Sequence, residues 1–295
     1  MCGGDPLYVV LPYFNYCGFK KRRTLFIEFV NRISRNHWIK IVVVEMGKDL
    51  PSLPVSVHHR ISTGKPVWIK ENLVNVAVER LPDTWKYMAW IDADITFLNR
   101  QWARETINEL KTHDVVQLFQ SAVNMGPDGE ALKLDTSFAH KYLSGSKYHK
   151  TDKYGHWHPG YAWACTNKAW TQMGGLVDWA ILGSGDRHLA MSLIGRVHDS
   201  YHGGVHEHYK ALLDAFQTRC KGMTIGCVKG TIIHHWHGSL ANRKYRERWL
   251  VLVETKYDPL MDIGLDHNGV LRLTKEGVRL EQPLADYFVG RDEDS

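Results

Sequence analysis

Between Met88 and Asp94 the chain passes from an unbroken apolar run, Met88-Ala89-Trp90-Ile91, into two carboxylates spaced i, i+2. The run reads as a strand buried on both faces, which places it inside a layered α/β domain. Side chains two apart on an extended strand point the same way. Asp92 and Asp94 are therefore expected to converge at the strand's carboxyl end, where open α/β sheets bind ligands. Two carboxylates there suit one hard divalent cation, Mg²⁺ or Mn²⁺, with water or diphosphate completing its shell. By itself Asp-x-Asp is also an ordinary turn at a strand end.

The segments before it alternate as such a sheet requires. Leu7 to Leu11 is a continuous apolar strand, broken by Pro12 and the loop Tyr13-Phe14-Asn15-Tyr16-Cys17-Gly18. Leu25, Phe26, Phe29, Val30 and Ile33 recur at helical spacing between Arg22 and Ile33. Ile39 to Val44 is a second buried strand and Val55 to Ile61 a short third. Lys70 to Arg80 reads as a helix with Leu73, Val74, Ala77 and Val78 inward, stopped by Pro82. The pattern predicts a parallel sheet covered by helices, an architecture of the nucleotide-binding type.

Downstream, Gln101 to Thr112 reads as a helix and Val115 to Gln120 as a strand. Ser121 to Gly160, with the turn Met125-Gly126-Pro127-Asp128-Gly129, lacks sustained periodicity and reads as a long functional loop, a candidate lid. Helices are expected over Asn167–Met173 and Arg187–Ile194, and a late strand over Thr231–Trp236. Asp258 to Ser295 reads as a tail with a hairpin turn at Asp266-His267-Asn268-Gly269.

Composition limits the function classes. The 44% hydrophobic and 23% charged residues are those of an ordinary globular protein. No apolar run is long enough to span a bilayer, and the N-terminus lacks the layout of a signal peptide, so the expectation is a cytoplasmic protein without a membrane partner. Cys2, Cys17, Cys165, Cys220 and Cys227 form no Cys-x-x-Cys pair, which argues for reduced thiols rather than a disulfide frame or thiolate zinc site. The net charge of +5 is modest. It is concentrated in Lys20-Lys21-Arg22-Arg23, in Arg243, Lys244, Arg246 and Arg248, and in a third cluster over Lys141–Lys153, which suggests a polyanionic partner.

The order of these motifs resembles the GT-A glycosyltransferases, and within them the metal-dependent inverting galactosyltransferases whose animal members make β-1,4 linkages. The resemblance covers roughly residues 7 to 240. Val9-Val10-Leu11-Pro12-Tyr13-Phe14-Asn15 is similar to the family's first strand and its nucleotide-contacting Pro-aromatic-x-Asn loop. Asn72-Leu73-Val74-Asn75-Val76-Ala77 is similar to the Leu-x-Asn-x-Gly helix before the metal strand, and Asp92-Ala93-Asp94 to its Asp-x-Asp. Gly160, Gly174-Gly175-Leu176 and Gly185-Asp186 follow the glycine-flanked acceptor block. Arg187 and His188 depart from it, standing where further acids are expected.

The resemblance implies a Rossmann-like GT-A domain with a mixed central sheet flanked by helices. Residues 1–120 would form its nucleotide-sugar half, 121–250 its acceptor half, and 251–295 a packed extension. It implies a UDP-sugar donor bound by Pro12, Tyr13, Asn15, Asn75, Asp92 and Arg243, and Mn²⁺ (or Mg²⁺) held by Asp92, Asp94 and a downstream histidine. In Ile232-Ile233-His234-His235-Trp236-His237-Gly238, strand alternation puts His235 and His237 on one face and His234 opposite. His237 is favoured, with His235 as runner-up. Asp186 is the candidate general base, with His188 as a substitute and a helix N-cap as its alternative role. Trp157, Tyr161, Gly185, Arg187 and His188 are the candidate acceptor contacts. His198, His202, His206 and His208 read as a polar loop, since Gly203-Gly204 interrupts them and no carboxylate pattern completes a zinc site.

The expected activity is hexose transfer from a UDP-sugar to a hydroxyl, with inversion. The basic clusters slightly favour a hydroxymethylated pyrimidine in DNA as acceptor over a glycan or lipid-linked sugar. A non-catalytic nucleotide-sugar-binding module is the competing class. A metal-dependent phosphodiesterase or nuclease lacks ligands for a second ion.

Overall fold

The computed structural model describes residues 4–149 and 157–295. Cys2, and Lys150 and Lys153 of the third basic cluster, lie outside them. The chain runs β1 (Leu7–Tyr13), α1 (Lys20–Ile33), β2 (Ile39–Met46), β3 (Val57–Ile61), α2 (Lys70–Val78) and β4 (Tyr87–Ile91). It continues through β5 (Ile95–Phe97), α3 (Trp102–Glu109), β6 (Val115–Gln117), β7 (Ser121–Met125), β8 (Ala131–Thr136) and α4 (Phe138–Leu143). Then follow β9 (Ala162–Thr166), α5 (Asn167–Met173), α6 (Gly185–Leu193), α7 (Glu207–Cys220), β10 (Ile225–Cys227) and β11 (Thr231–His234). The end of the chain forms α8 (Arg248–Glu254), β12 (Ile263–Leu265), β13 (Leu271–Leu273) and α9 (Glu281–Val289).

The central sheet has seven strands in the order β10-β6-β9-β4-β1-β2-β3. β3, β2, β1 and β4 are parallel, and β9 runs antiparallel to both β4 and β6, so the sheet is mixed as expected. Alternation sends Val10, Val42, Met88 and Trp90 to the face covered by α2, and Val9, Val43, Ala89 and Ile91 to the face covered by Phe26, Phe29 and Val30 of α1. β1 lies between β2 and β4, so the winding direction reverses there. That reversal opens a crevice at the carboxyl ends of β1 and β4, beside Pro12-Tyr13 and Asp92.

A second sheet, β5-β11-β7-β8, stands beside this crevice. It corrects the reading of residues 121–160 as irregular, because β7 and β8 form an antiparallel hairpin and Ser137 caps α4 by accepting the His140 N–H. The hairpin is hard to see in sequence for a physical reason. Its inward positions Ala122 and Asn124 are small or polar, while Leu132 and Leu134 on β8 are exposed. The hairpin turn expected at Asp266–Gly269 is present between β12 and β13, where Asp266 accepts the N–H groups of Asn268 and Val270.

The last residues fold back over the start of α1. Glu293, 1% exposed, accepts paired hydrogen bonds from Arg22 (2.6 and 2.7 Å) and from Arg291 (2.7 and 2.6 Å). Asp294 accepts the N–H groups of Lys20 and Lys21 at the N-terminus of α1, where a carboxylate also complements the helix dipole. Arg22 and Arg23 of the first basic cluster are therefore paired internally, Arg23 with Asp49. Breaking a buried ion pair costs about 3–5 kcal/mol, and Arg22 is partly exposed. Glu293→Gln is expected to lower stability by about 3 kcal/mol in urea unfolding; an unchanged midpoint would refute this clamp.

Candidate active site

A cavity of about 200 Å³ occupies the crevice and is lined from every side by groups with chemistry: Pro12 and Tyr13 from β1, Asp92 and Asp94 beyond β4, Asp186 from α6, His234 and His237. The backbone explains the meeting. β4 ends at Ile91, the Asp92 N–H is taken by the Tyr161 carbonyl at 2.7 Å, and the Asp94 carbonyl accepts the His235 N–H at 2.8 Å. The exit of β11 is thereby fixed directly against the turn that carries both aspartates.

Among the described residues Asp94, His234 and His237 offer ligand atoms that all lie within 4.8 Å of one another. His237 Nε2 is 2.8 Å from Asp94 Oδ2, and His234 Nε2 is 3.8 Å from it. The expected alternation is corrected here. β11 stops at His234, so the period of two does not reach His237, and the His237 ring comes to lie 5.4 Å from that of His234. His235 points away and its Nε2 bonds Thr96 Oγ1 at 2.7 Å. His234 was missed because a strand was assumed to continue.

These groups fit a divalent cation. Asp94 Oδ1 is buried with no hydrogen-bond partner. Burial opposes ionisation of Asp94, yet His237, His234 and Arg243 hold its carboxyl far below the usual range. Burial pushes His234 down to about 3, so its ring is neutral. Tyr161 OH and His234 Nδ1 both meet Asn124 Oδ1, at 2.7 and 2.9 Å, while Asn124 Nδ2 donates to Asp135. The proton is thus on Nδ1, and the lone pair of His234 Nε2 faces Asp94. One carboxylate and two imidazoles suit Mn²⁺ better than Mg²⁺.

Asp92 shares the cavity but stands outside that cluster, because its Oδ1 is held by Lys70 Nζ at 2.6 Å. The same ammonium reaches Asp186 Oδ2 at 2.9 Å. Burial pushes Asp92 up to about 6, with Asp186 and Asp94 adding to the shift and Lys70 opposing it. Lys70 itself is 6% exposed; burial works against its charge, but Asp186, Asp92 and Glu71 hold it well above the usual lysine range. No sequence motif marked it, since it begins a helix with nothing else to signal a partner.

Asp186 lies within the first turn of α6, two residues past the position an N-cap role would require; Ser184, at φ +83°, occupies the cap position. Gly185 is required by packing, because a Cβ there would lie 2.3 Å from Glu71 Oε1. His188, two residues on, faces the opposite side of the helix. It is fully buried between Ser200 Oγ (2.7 Å) and Tyr209 OH (2.9 Å), and burial pushes it down to about 3, so it is not placed to act as a base.

The other expected contacts divide. Arg187 lines the cavity while donating to Tyr148 OH and the Asp199 carbonyl, and Arg243 lines it against His237 at 2.8 Å. Tyr161 lines it too, with one face already stacked on His158 at 4.1 Å. Trp157 packs on Phe138 and Tyr148 instead. Asn15 pins its own loop through both N–H and carbonyl of Phe19. Asn75 is turned into a second cavity, where it brackets Leu176 and donates to Asp178 at 3.0 Å. In these three cases a local packing need claims the side chain. The polar histidine loop also differs from expectation: Asp258, distant in sequence, brings a carboxylate to His206 and His208.

No protein-family model matches the chain, and no curated protein matches it in sequence. Solved structures are similar to it at low identity. The catalytic domain of Drosophila β1,4-galactosyltransferase 7 in complex with xylobiose is 13% identical, with a TM-score of 0.39 over 76% of this chain and 65% of that one. The chain therefore spans slightly under two thirds of that domain. A mutant of the same protein, in complex with manganese, UDP-Gal and xylobiose, is 14% identical with a TM-score of 0.40 over 78% and 70% of the two chains. A mannosyltransferase from Pyrobaculum calidifontis, in complex with GDP-Man and Mn²⁺, is 11% identical with a TM-score of 0.47, covering 96% of this chain and 70% of that one.

Burial pushes Glu71 up to about 8, with Asp186 adding and Lys70 opposing, while the Trp68 indole donates to it at 2.9 Å. A carboxyl raised above its unfolded value favours folding only while protonated. Its contribution is complete below the ordinary carboxyl value of 4.5 and lost as pH rises toward about 8. Glu71→Gln is expected to flatten the decline in stability across that window and to melt higher than the wild type at pH 9. A parallel decline in both proteins would refute the assignment.

Proposed function

We propose that this protein is a divalent-metal-dependent glycosyltransferase that moves a hexose from a UDP-sugar to a hydroxyl acceptor with inversion. One observation supports it above the others. The crevice at the sheet's reversal holds a carboxylate–imidazole cluster, and the Lys70–Asp186 pair lines the same cavity. Asp94, His234 and His237 would hold Mn²⁺, which when bound neutralises charge developing on the leaving diphosphate. Pro12 and Tyr13 border the donor at the end of β1, and Arg243 offers its guanidinium to diphosphate oxygens from beside His237.

Asp186 accepts the proton of the attacking hydroxyl, and Lys70 orients its carboxylate for that step. A single displacement by the activated hydroxyl inverts the anomeric carbon. Lys70 also ties Asp92 to Asp186, which makes Asp92 a positioning residue between donor and base. In this reading residues up to about 120 carry the donor, residues 121–250 the acceptor side, and the C-terminal extension closes the site through Arg291 and Glu293.

The acceptor is a hydroxyl-bearing small molecule or saccharide. The DNA reading drew on three basic clusters, and two of them give it less support in the fold: Arg22 and Arg23 are paired, while Arg243 and Arg248 line the cavity. No helix among the described residues is long and apolar enough to cross a membrane.

With a panel of UDP-sugars and simple acceptors, turnover should require Mn²⁺ and be abolished in Asp94→Ala. Asp186→Asn should lower kcat by about 10²–10⁴ while leaving UDP–Mn²⁺ affinity unchanged. Full activity of Asp94→Ala would overturn the proposal. Calorimetry showing no UDP–Mn²⁺ binding to the wild type would do the same.

A further inference from the structure

Arg248 is a buried cation with no carboxylate paired to it among the described residues. It is 9% exposed and lines the cavity, yet its hydrogen-bond partners are neutral: Ser184 Oγ at 2.6 Å and Tyr287 OH at 3.4 Å, with the Tyr245 ring 5.0 Å from its guanidinium carbon. Among the described residues no carboxylate pairs with it. The contrast with its neighbours is direct, because Arg22 and Arg291 line the same cavity and share Glu293. A guanidinium carries five N–H donors in a fork matched to oxyanions, and burying it unpaired is costly. Burial alone would push the Tyr287 phenol up, yet Arg248 and Arg291 beside it bring it below the usual value.

Its contacts differ from those of Arg243, which lines the same cavity. Arg243 stands against His237, on the side of the metal cluster. Arg248 instead grips the loop that leads into α6. The backbone at Gly183, with φ +85°, favours glycine, and a Cβ there would lie a tight 3.3 Å from both the Arg248 guanidinium and the Trp68 indole. Ser184 follows in the left-handed region, and Asp186 comes two residues later. This tight turn places a serine hydroxyl and the proposed base on one short segment, and the Arg248 guanidinium packs against it from α8.

Building on the glycosyltransferase reading, we infer that the acceptor carries an oxyanion, phosphate or carboxylate, which Arg248 and Ser184 bind so that a neighbouring hydroxyl meets Asp186. The anion supplies the charge that the fold withholds from Arg248, and it selects acidic acceptors over neutral saccharides.

The test is calorimetric titration of the full chain, saturated with UDP and Mn²⁺, with methyl phosphate and separately with acetate. At least one anion should bind, the stronger arm identifying the source. Arg248→Gln should weaken that binding at least tenfold while leaving UDP–Mn²⁺ affinity within twofold, and Arg248→Lys should recover part of it. Ser184→Ala, a gentler change, should weaken it severalfold if the glutamine variant does not fold. Absence of anion binding by a protein that still binds UDP–Mn²⁺ would overturn this inference alone. A tenfold fall in UDP affinity on Arg248→Gln would also overturn it by assigning Arg248 to the donor. Failure of the wild type to bind UDP–Mn²⁺ would remove the glycosyltransferase reading itself.

Discussion

One buried ammonium joins the two sides of the cavity. Lys70 reaches Asp92 from the end of β4 and Asp186 from the start of α6, at 2.6 and 2.9 Å. Without it these carboxylates would face each other, and Asp94, in a poorly solvated crevice, where like charges raise one another's proton affinity. With it they share a cation whose own burial is offset by the acids around it. The geometry of the proposed base and of the turn that carries Asp92 and Asp94 thus depends on the first residue of α2.

Charge is managed by allocation around that centre. Glu293 serves Arg22 and Arg291, Asp94 serves His237, and Lys70 serves Asp92 and Asp186. Two groups are left over: Asp94 Oδ1, buried without a hydrogen-bond partner, and Arg248, whose side-chain partners are neutral. A buried polar atom without a protein partner is costly, so such remainders are informative about what the site is built to receive.

The periodic elements were readable in advance, and so was the crevice. Apolar runs at Leu7–Leu11, Ile39–Val44 and Met88–Ile91, each followed or preceded by a helical stripe, dictate strands covered on both faces. Asp94 and His237, which the structure brings together, could be singled out because a strand-end carboxylate and a glycine-flanked histidine are local signals. His234 was assigned to the wrong face because the residue at which a strand stops is set by its neighbours, here β5 and β7, and not by its own alternation. His188, Asn75 and Trp157 carried the right chemistry and were claimed by packing instead.

What the sequence by itself determined is local: which segments are buried, where the chain turns, and which titratable groups sit at element ends. Tertiary structure alone decided the partners. Lys70 meets Asp186 across 116 positions, and Arg22 meets Glu293 across 271. Pairings at that separation depend on how layers stack, and no periodicity along the chain encodes them. Propensity and hydrophobic spacing act over a few residues, whereas a shared buried charge is defined only after distant elements have closed around it.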